Sequence, residues 1–225
     1  YTIVEVGCGL GYLTHAINKL GFRCIGIDIS ENSITQAKKN FKSSEFYCAT
    51  IEEYVKKNPK PSIIVSTEVI EHLENPDSFV KTILGSLQNE QGVNPRAIIS
   101  TPHKHMHTKS VWEGDLPPIH LFWFSKETFR RMAEQNNSTV EFVDLTKFYK
   151  KNPSYIKYPK LPGMINRPFL DENYKFFNEN NIDKLFRTIR NFSFKRKFSK
   201  YFNRKLLKGN DTSDSICAIF YPSEL

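Results

Sequence analysis

The feature that most limits the fold of this chain is an alternation: short apolar, β-branched runs, each followed by a stretch whose apolar residues recur at helical spacing. Residues 2–6 form the first run and stop at glycines; Leu13, Ala16, Ile17 and Leu20 then share one helical face, and Gly21 is placed to cap its end. Residues 23–29 form the second run, after which Ser30 is a candidate N-cap for a helix carrying Ile34, Ala37 and Phe41. Further runs fall at 45–50, 62–66, 97–101 and 139–145, with helical patterns at 79–87 and from Ser125 through Ala133. Strands joined by helices of this length are βαβ units, because parallel neighbours need a crossover and the helices cover both faces of the sheet. The expectation is an α/β fold with a doubly wound, mostly parallel, seven-stranded sheet, closed by a last run at 215–221.

Composition matters here for where the charge sits. The chain has 225 residues, 39% hydrophobic and 13% aromatic, which suffices for one packed core and excludes wholesale disorder or a fibrous repeat. The net charge of +8 is local: residues 147–208 hold 17 basic and 4 acidic residues, a balance of +13, and the remainder of the chain is at −5. Pro153, Pro159, Pro162 and Pro168 and repeated Phe and Tyr set the same window apart. The expected organisation is therefore a core at 1–146, a basic aromatic insertion or lid at 147–210, and the closing strand of the core at 211–225. Such a window can cover a substrate site, rest on an anionic membrane surface, or grip RNA phosphates while its rings stack on bases. Cys8, Cys24, Cys48 and Cys217 are dispersed with no CxxC spacing, as free thiols of a cytoplasmic protein are. No stretch reaches the roughly 18 apolar residues of a membrane span. The chain opens at Tyr1 without a basic and apolar leader, as a trimmed chain does.

The first strand runs into Glu5-Val6-Gly7-Cys8-Gly9-Leu10-Gly11 and then into a helix. Glycines there let the chain turn sharply and let a ligand reach main-chain amides at a helix N-terminus. A nucleotide-like ligand is implied. The dinucleotide fingerprint Gly-x-Gly-x-x-Gly is broken by Tyr12, and Gly11 makes the spacing Gly-x-Gly-x-Gly, which argues against NAD. Asp28 lies 21 residues after Gly7, where a carboxylate can accept from ribose hydroxyls of a ligand lying across the strand ends.

With these residues in view, the chain resembles the class I S-adenosylmethionine-dependent methyltransferases. VEVGCGLGYLT is similar to their first motif, GIDIS to their acidic second-strand end, STEVIEHLENP to the segment after the fourth strand, and IISTPH to the fifth strand and its exit. The resemblance implies that Gly7, Gly9 and Gly11 lie against the methionine and ribose part of S-adenosyl-L-methionine, that Glu5 supports the loop, that Asp28 holds the ribose and that Ile29 flanks adenine. Thr50 stands where many members carry an acidic residue for the adenine amine. Cys8, Ile51, Thr67 and Glu68 complete the expected cofactor surface, with Cys8 a small filler rather than a nucleophile.

A sulfonium methyl is already electrophilic, so such an enzyme has to hold an acceptor in line and take its proton. The candidate bases are Glu68, Glu71, His72, His103, His105, His107 and His120, of which Glu71, His72 and His120 lead as catalytic residues. The resemblance implies O-methylation of a small molecule, sugar or lipid intermediate, as in the ubiquinone-pathway branch. No metal is expected at the site. The alternative is a metal-assisted RNA 2′-O-methyltransferase, in which Glu68, Glu71 and His72 share one face of a helical turn and His120 completes a divalent-cation site. A rival of another class is a non-catalytic module that docks on membrane or nucleic acid through its basic window.

Overall fold

The computed structural model describes residues 1–90, 92–103, 119–145 and 215–223. Seven strands, β1 Ile3–Val6, β2 Cys24–Asp28, β3 Glu45–Cys48, β4 Ile63–Thr67, β5 Arg96–Pro102, β6 Ser138–Phe142 and β7 Ser215–Pro222, form one sheet in the order β3-β2-β1-β4-β5-β7-β6. The first five run parallel, and β7 pairs antiparallel with both β5 and β6. Among the described residues five α-helices, α1 Tyr12–Lys19, α2 Glu31–Asn40, α3 Ile51–Lys57, α4 Pro76–Gly85 and α5 Lys126–Gln135, lie between them. The expected doubly wound, mostly parallel sheet is the fold observed.

Contacts divide the chain into two units. The first, Tyr1–Pro102, Phe122–Val143 and Ser215–Leu225, contains the whole sheet. The second, His103–Leu121 and Asp144–Asp214, is described only at residue 103 and at 119–121 and 144–145. The basic window at 147–208 lies outside the described residues.

Burial explains the sheet's apolar strands. All four residues of β1 are buried, because helices cover both faces. Val4 and Val6 join Ile25, Ile27, Ile64 and Ile99 under α3, α4 and α5 in the main core, while Ile3 packs with Cys24, Val65, Leu13 and Ile17 on the other side. Glu5 falls on that second, α1-bearing face by the two-residue alternation of a strand.

Capping sets the boundaries. The Ser30 side chain accepts from the Ser33 amide, as expected for the N-cap of α2, and Ser125 does the same for α5 through Thr128. Several boundaries differ from the sequence pattern: β6 ends at Phe142 rather than at 145 and α4 at Gly85 rather than at 87, and two further differences have a local cause. β3 ends at Cys48 rather than at 50, because Thr50 is the N-cap of a helix that the pattern did not show: its side chain accepts from the Glu53 amide while Glu53 accepts from the Thr50 amide. α4 begins at Pro76, three residues before the apolar stripe at 79, because the Asn75 side chain caps it and proline suits its first turn. Thr50→Ala is expected to lower stability by about 1 kcal/mol, the usual worth of such a cap, with equilibrium urea denaturation as the measurement.

No helix among the described residues is long and apolar enough to cross a membrane. The four cysteines are free.

Candidate functional site

The chain leaves β1, travels outward to β2 and β3, and returns to β4 on the opposite side of β1. The carboxyl end of β1 is thus the point where the winding reverses, which in open α/β sheets is where ligands bind. The glycine loop occupies it. The Gly7 and Cys8 amides both donate to the Ile27 carbonyl, at 2.9 and 3.0 Å, and the Gly11 amide closes the turn on the Cys8 carbonyl at 2.9 Å. Gly11, at φ +82°, is the N-cap of α1, and a Cβ at Gly7, at φ +77°, would lie 2.4 Å from a Val69 methyl. Gly9 differs: a Cβ there would meet nothing within 4 Å, so that side of the loop is open to a ligand.

Asp28 ends β2 beside this opening. Its Oδ2 accepts from the Gly9 amide at 2.9 Å and its Oδ1 from the Ser30 amide at 2.8 Å. A carboxylate has about four acceptor positions, so each oxygen retains room for a further donor such as a sugar hydroxyl. The Asp28–Gly9 bond also ties the acid to the loop, so both would move together against a ligand. Ile29, next in sequence, is 78% exposed and offers an apolar surface just outside the strand.

Glu5 is buried and accepts a hydrogen bond from the Thr14 hydroxyl. Burial pushes its carboxyl up to about 7. Cys8 is buried beside it, and burial, reinforced by the charges of Glu5 and Asp28, pushes its thiol up to about 12. A thiolate is therefore strongly disfavoured there, as a filler role requires. At the far end of the opening, Thr50 is engaged in its cap. Ile51, expected at the cofactor surface, has its side chain in the main core as the first residue of α3, so only its main chain can face a ligand.

Beyond β4, which ends at the half-buried Thr67, the structure departs from the helical turn expected for Glu68, Glu71 and His72. Glu68 takes a left-handed backbone conformation at φ +54°, which interrupts any helix, and only Ile70–His72 form a 3₁₀ turn. The exposed Glu68 accepts from the Ser100 hydroxyl at 3.2 Å. Glu71 instead points inward: it is 1% exposed, its Oε2 accepts from the Thr101 hydroxyl at 3.0 Å, and its main-chain carbonyl accepts from the Phe122 amide at 3.3 Å. The exposed His72 keeps its Nε2 3.9 Å from Glu71 Oε1. Glu71 and His72 are thus brought together in the first unit. His103 and His120, both buried, belong to the second unit, and His105 and His107 lie outside the described residues. Thr101 is a site-supporting residue that the sequence reading does not single out, although it lies within the IISTPH segment and takes an inward position in the alternation of β5.

Comparison with known proteins fits this geometry. The family model described as "Methyltransferase domain" matches residues 2–141, more than half of the chain. The chain is 28% identical over 192 residues to the ubiquinone biosynthesis O-methyltransferase of Pelagibacter ubique, covering 84% of this chain and 75% of that protein. It is 25% identical over 174 residues to the protein of the same name from Bradyrhizobium diazoefficiens, covering 76% of this chain and 64% of that one. It therefore spans about two thirds to three quarters of these relatives' lengths. Among solved structures, a SAM dependent methyltransferase from Archaeoglobus fulgidus superposes with a TM-score of 0.53 at 17% identity, covering 98% of this chain and 85% of that one, which is a likeness of fold. With its glycine loop at the reversal point of the sheet and its family match running from β1 into β6, this chain belongs to the class I S-adenosylmethionine-dependent methyltransferases.

Proposed function

We propose that this chain binds S-adenosyl-L-methionine and methylates a hydroxyl of a small-molecule acceptor. The observation that carries the reading is the pairing of an open-faced Gly9 with Asp28, whose carboxylate is tethered to the loop yet has acceptor capacity to spare. Residues 7–11 would hold the amino-acid end of the cofactor, Asp28 its ribose, and Ile29 and the main chain at Thr50 and Ile51 its base, with Thr67 and Glu68 bordering the same opening. When bound, the cofactor supplies a methyl carbon whose bond to sulfur breaks as the bond to the acceptor oxygen forms, leaving a neutral thioether.

The chain's own part is to hold the acceptor and take its proton. Glu71, fixed by Thr101, and His72 beside it are the described groups of the first unit suited to that transfer. The relatives named as O-methyltransferases support oxygen as the accepting atom. The free cysteines suit a cytoplasmic setting. Incubation with methyl-labelled S-adenosylmethionine and a fractionated cell extract tests the reading: label is expected in the small-molecule fraction. Label confined to RNA would overturn it in favour of an RNA 2′-O-methyltransferase, and cofactor binding with no label anywhere would favour a non-catalytic module.

A further inference from the structure

α1 begins without help from its own side chains. Its N-cap is Gly11, and its first turn contains no acidic residue. The amides of a first helical turn need acceptors from elsewhere. Glu5 reaches that turn from the preceding strand: its carboxylate accepts from the Thr14 hydroxyl, with the two residues 3% and 0% exposed. The sheet leaves space for this. Gly26 is the register partner of Glu5 on β2, and a Cβ there would stand 2.7 Å from the Thr14 hydroxyl oxygen and 2.9 Å from Cys8 Sγ. Any side chain at 26 would displace the hydroxyl from the carboxylate.

We propose that Thr14 is a positioning residue of the cofactor loop, its hydroxyl favouring the charged form of the Glu5 carboxylate beside residues 7–11, where that charge favours a ligand of net positive charge. The proposal rests on the reading above, since S-adenosylmethionine carries a sulfonium and an ammonium against one carboxylate. Glu5 faces Asp28 at the end of β2, which disfavours its charge, and Cys24 at the start of β2 and Cys8 in the loop, both thiols being pushed up to about 12 by burial and so neutral. Asp28 is the one other charge among these groups. Burial raises the Glu5 carboxyl, and hydrogen bonding from Thr14 pulls it back down.

Two pH dependences of opposite sign follow. Without ligand, the folded chain holds the Glu5 proton up to about 7, whereas an ordinary carboxyl releases it near 4.5. The folded state binds more protons in that window, so the contribution of Glu5 to stability is present below it and is lost as pH rises through about 7. With a cationic ligand the carboxylate is preferred, so affinity grows with pH across the same window.

Titration calorimetry with S-adenosylmethionine from about pH 5.5 to 8.5 is the test, paired with thermal unfolding of the ligand-free chain. Wild-type affinity is expected to fall about tenfold per pH unit below the midpoint, as for a single titrating group. Thr14→Val is expected to move the midpoint of both profiles up by about one unit, Thr14→Ser to restore it, and Glu5→Gln to flatten both. Thr14→Ala, which adds no methyl to the site, is expected to act as Thr14→Val does. A wild-type midpoint in the variants that lack the hydroxyl, or a Glu5→Gln chain that keeps its pH dependence, would overturn the proposal. If wild type binds no cofactor at any pH, the methyltransferase reading fails by itself, and the unfolding profiles still decide the Thr14–Glu5 link.

Discussion

Gly11→Val is expected to lower stability by about 3 to 5 kcal/mol, combining the cost of a left-handed conformation for a branched residue with that of forcing atoms into a filled site. The backbone there has φ +82°, which β-branched residues almost never adopt. The new Cβ would lie 2.5 Å from the Phe46 ring tip and 3.0 Å from the Ala37 methyl. Neither neighbour can yield easily. Phe46 is buried on β3, its ring already occupying the space above Gly26, and Ala37 is wholly enclosed on α2. Gly9→Ala is the contrasting case: its site is open, so only the backbone term of about 1 to 2 kcal/mol remains. Equilibrium urea denaturation of the two variants separates the terms. Equal losses would mean that the loop does not rest on β3 and α2 as the structure has it.

The contrast also shows why part of the site can be read from sequence and part cannot. The three glycines, Asp28 and the Ser30 cap are local signals: each is a residue type whose conformational or hydrogen-bonding demand is met within a few positions. The doubly wound sheet follows from the same kind of information, since an apolar run followed by a helical stripe leaves little choice of connection. α3 escapes that reading because it has seven residues and no long apolar stripe, although Thr50 and Glu53 carry its capping box in plain view. Glu68 escapes it for another reason. The i, i+3, i+4 spacing with Glu71 and His72 is real, but the pairing of the Glu68 amide with the Ser100 carbonyl on β5, at 2.9 Å, holds the chain beyond β4 out of a helix. Tertiary pairing has overridden a local pattern. The Thr14–Glu5–Gly26 set lies further still from the sequence, because it depends on the register of β1 against β2 and on which face of β1 receives α1. A threonine, a glutamate and a glycine at those positions have no spacing rule in common.

Asp28→Ala is expected to weaken S-adenosylmethionine binding by about 1 to 3 kcal/mol, roughly ten- to a hundredfold in Kd. The loss has two sources. Ribose hydroxyls would lose an ionised acceptor, and the Gly9 amide would lose the partner that fixes the loop for its ligand. Asp28→Asn tells these apart from a simple charge effect. An asparagine has one acceptor oxygen, whereas two amides, from Gly9 and Ser30, converge on the two oxygens of Asp28. Whichever way the amide group turns, one N–H then faces an NH₂. Asp28→Asn is accordingly expected to bind nearly as poorly as Asp28→Ala, and a loss much smaller than alanine's would mean that neither the charge nor the second paired acceptor makes the site. Because Asp28 is half-buried and at a strand end, unfolding of either variant is expected to shift far less than for Gly11→Val. An alanine variant that folds normally and binds the cofactor with wild-type affinity would remove Asp28 from the site, and with it the main support for placing the ribose across the end of β2.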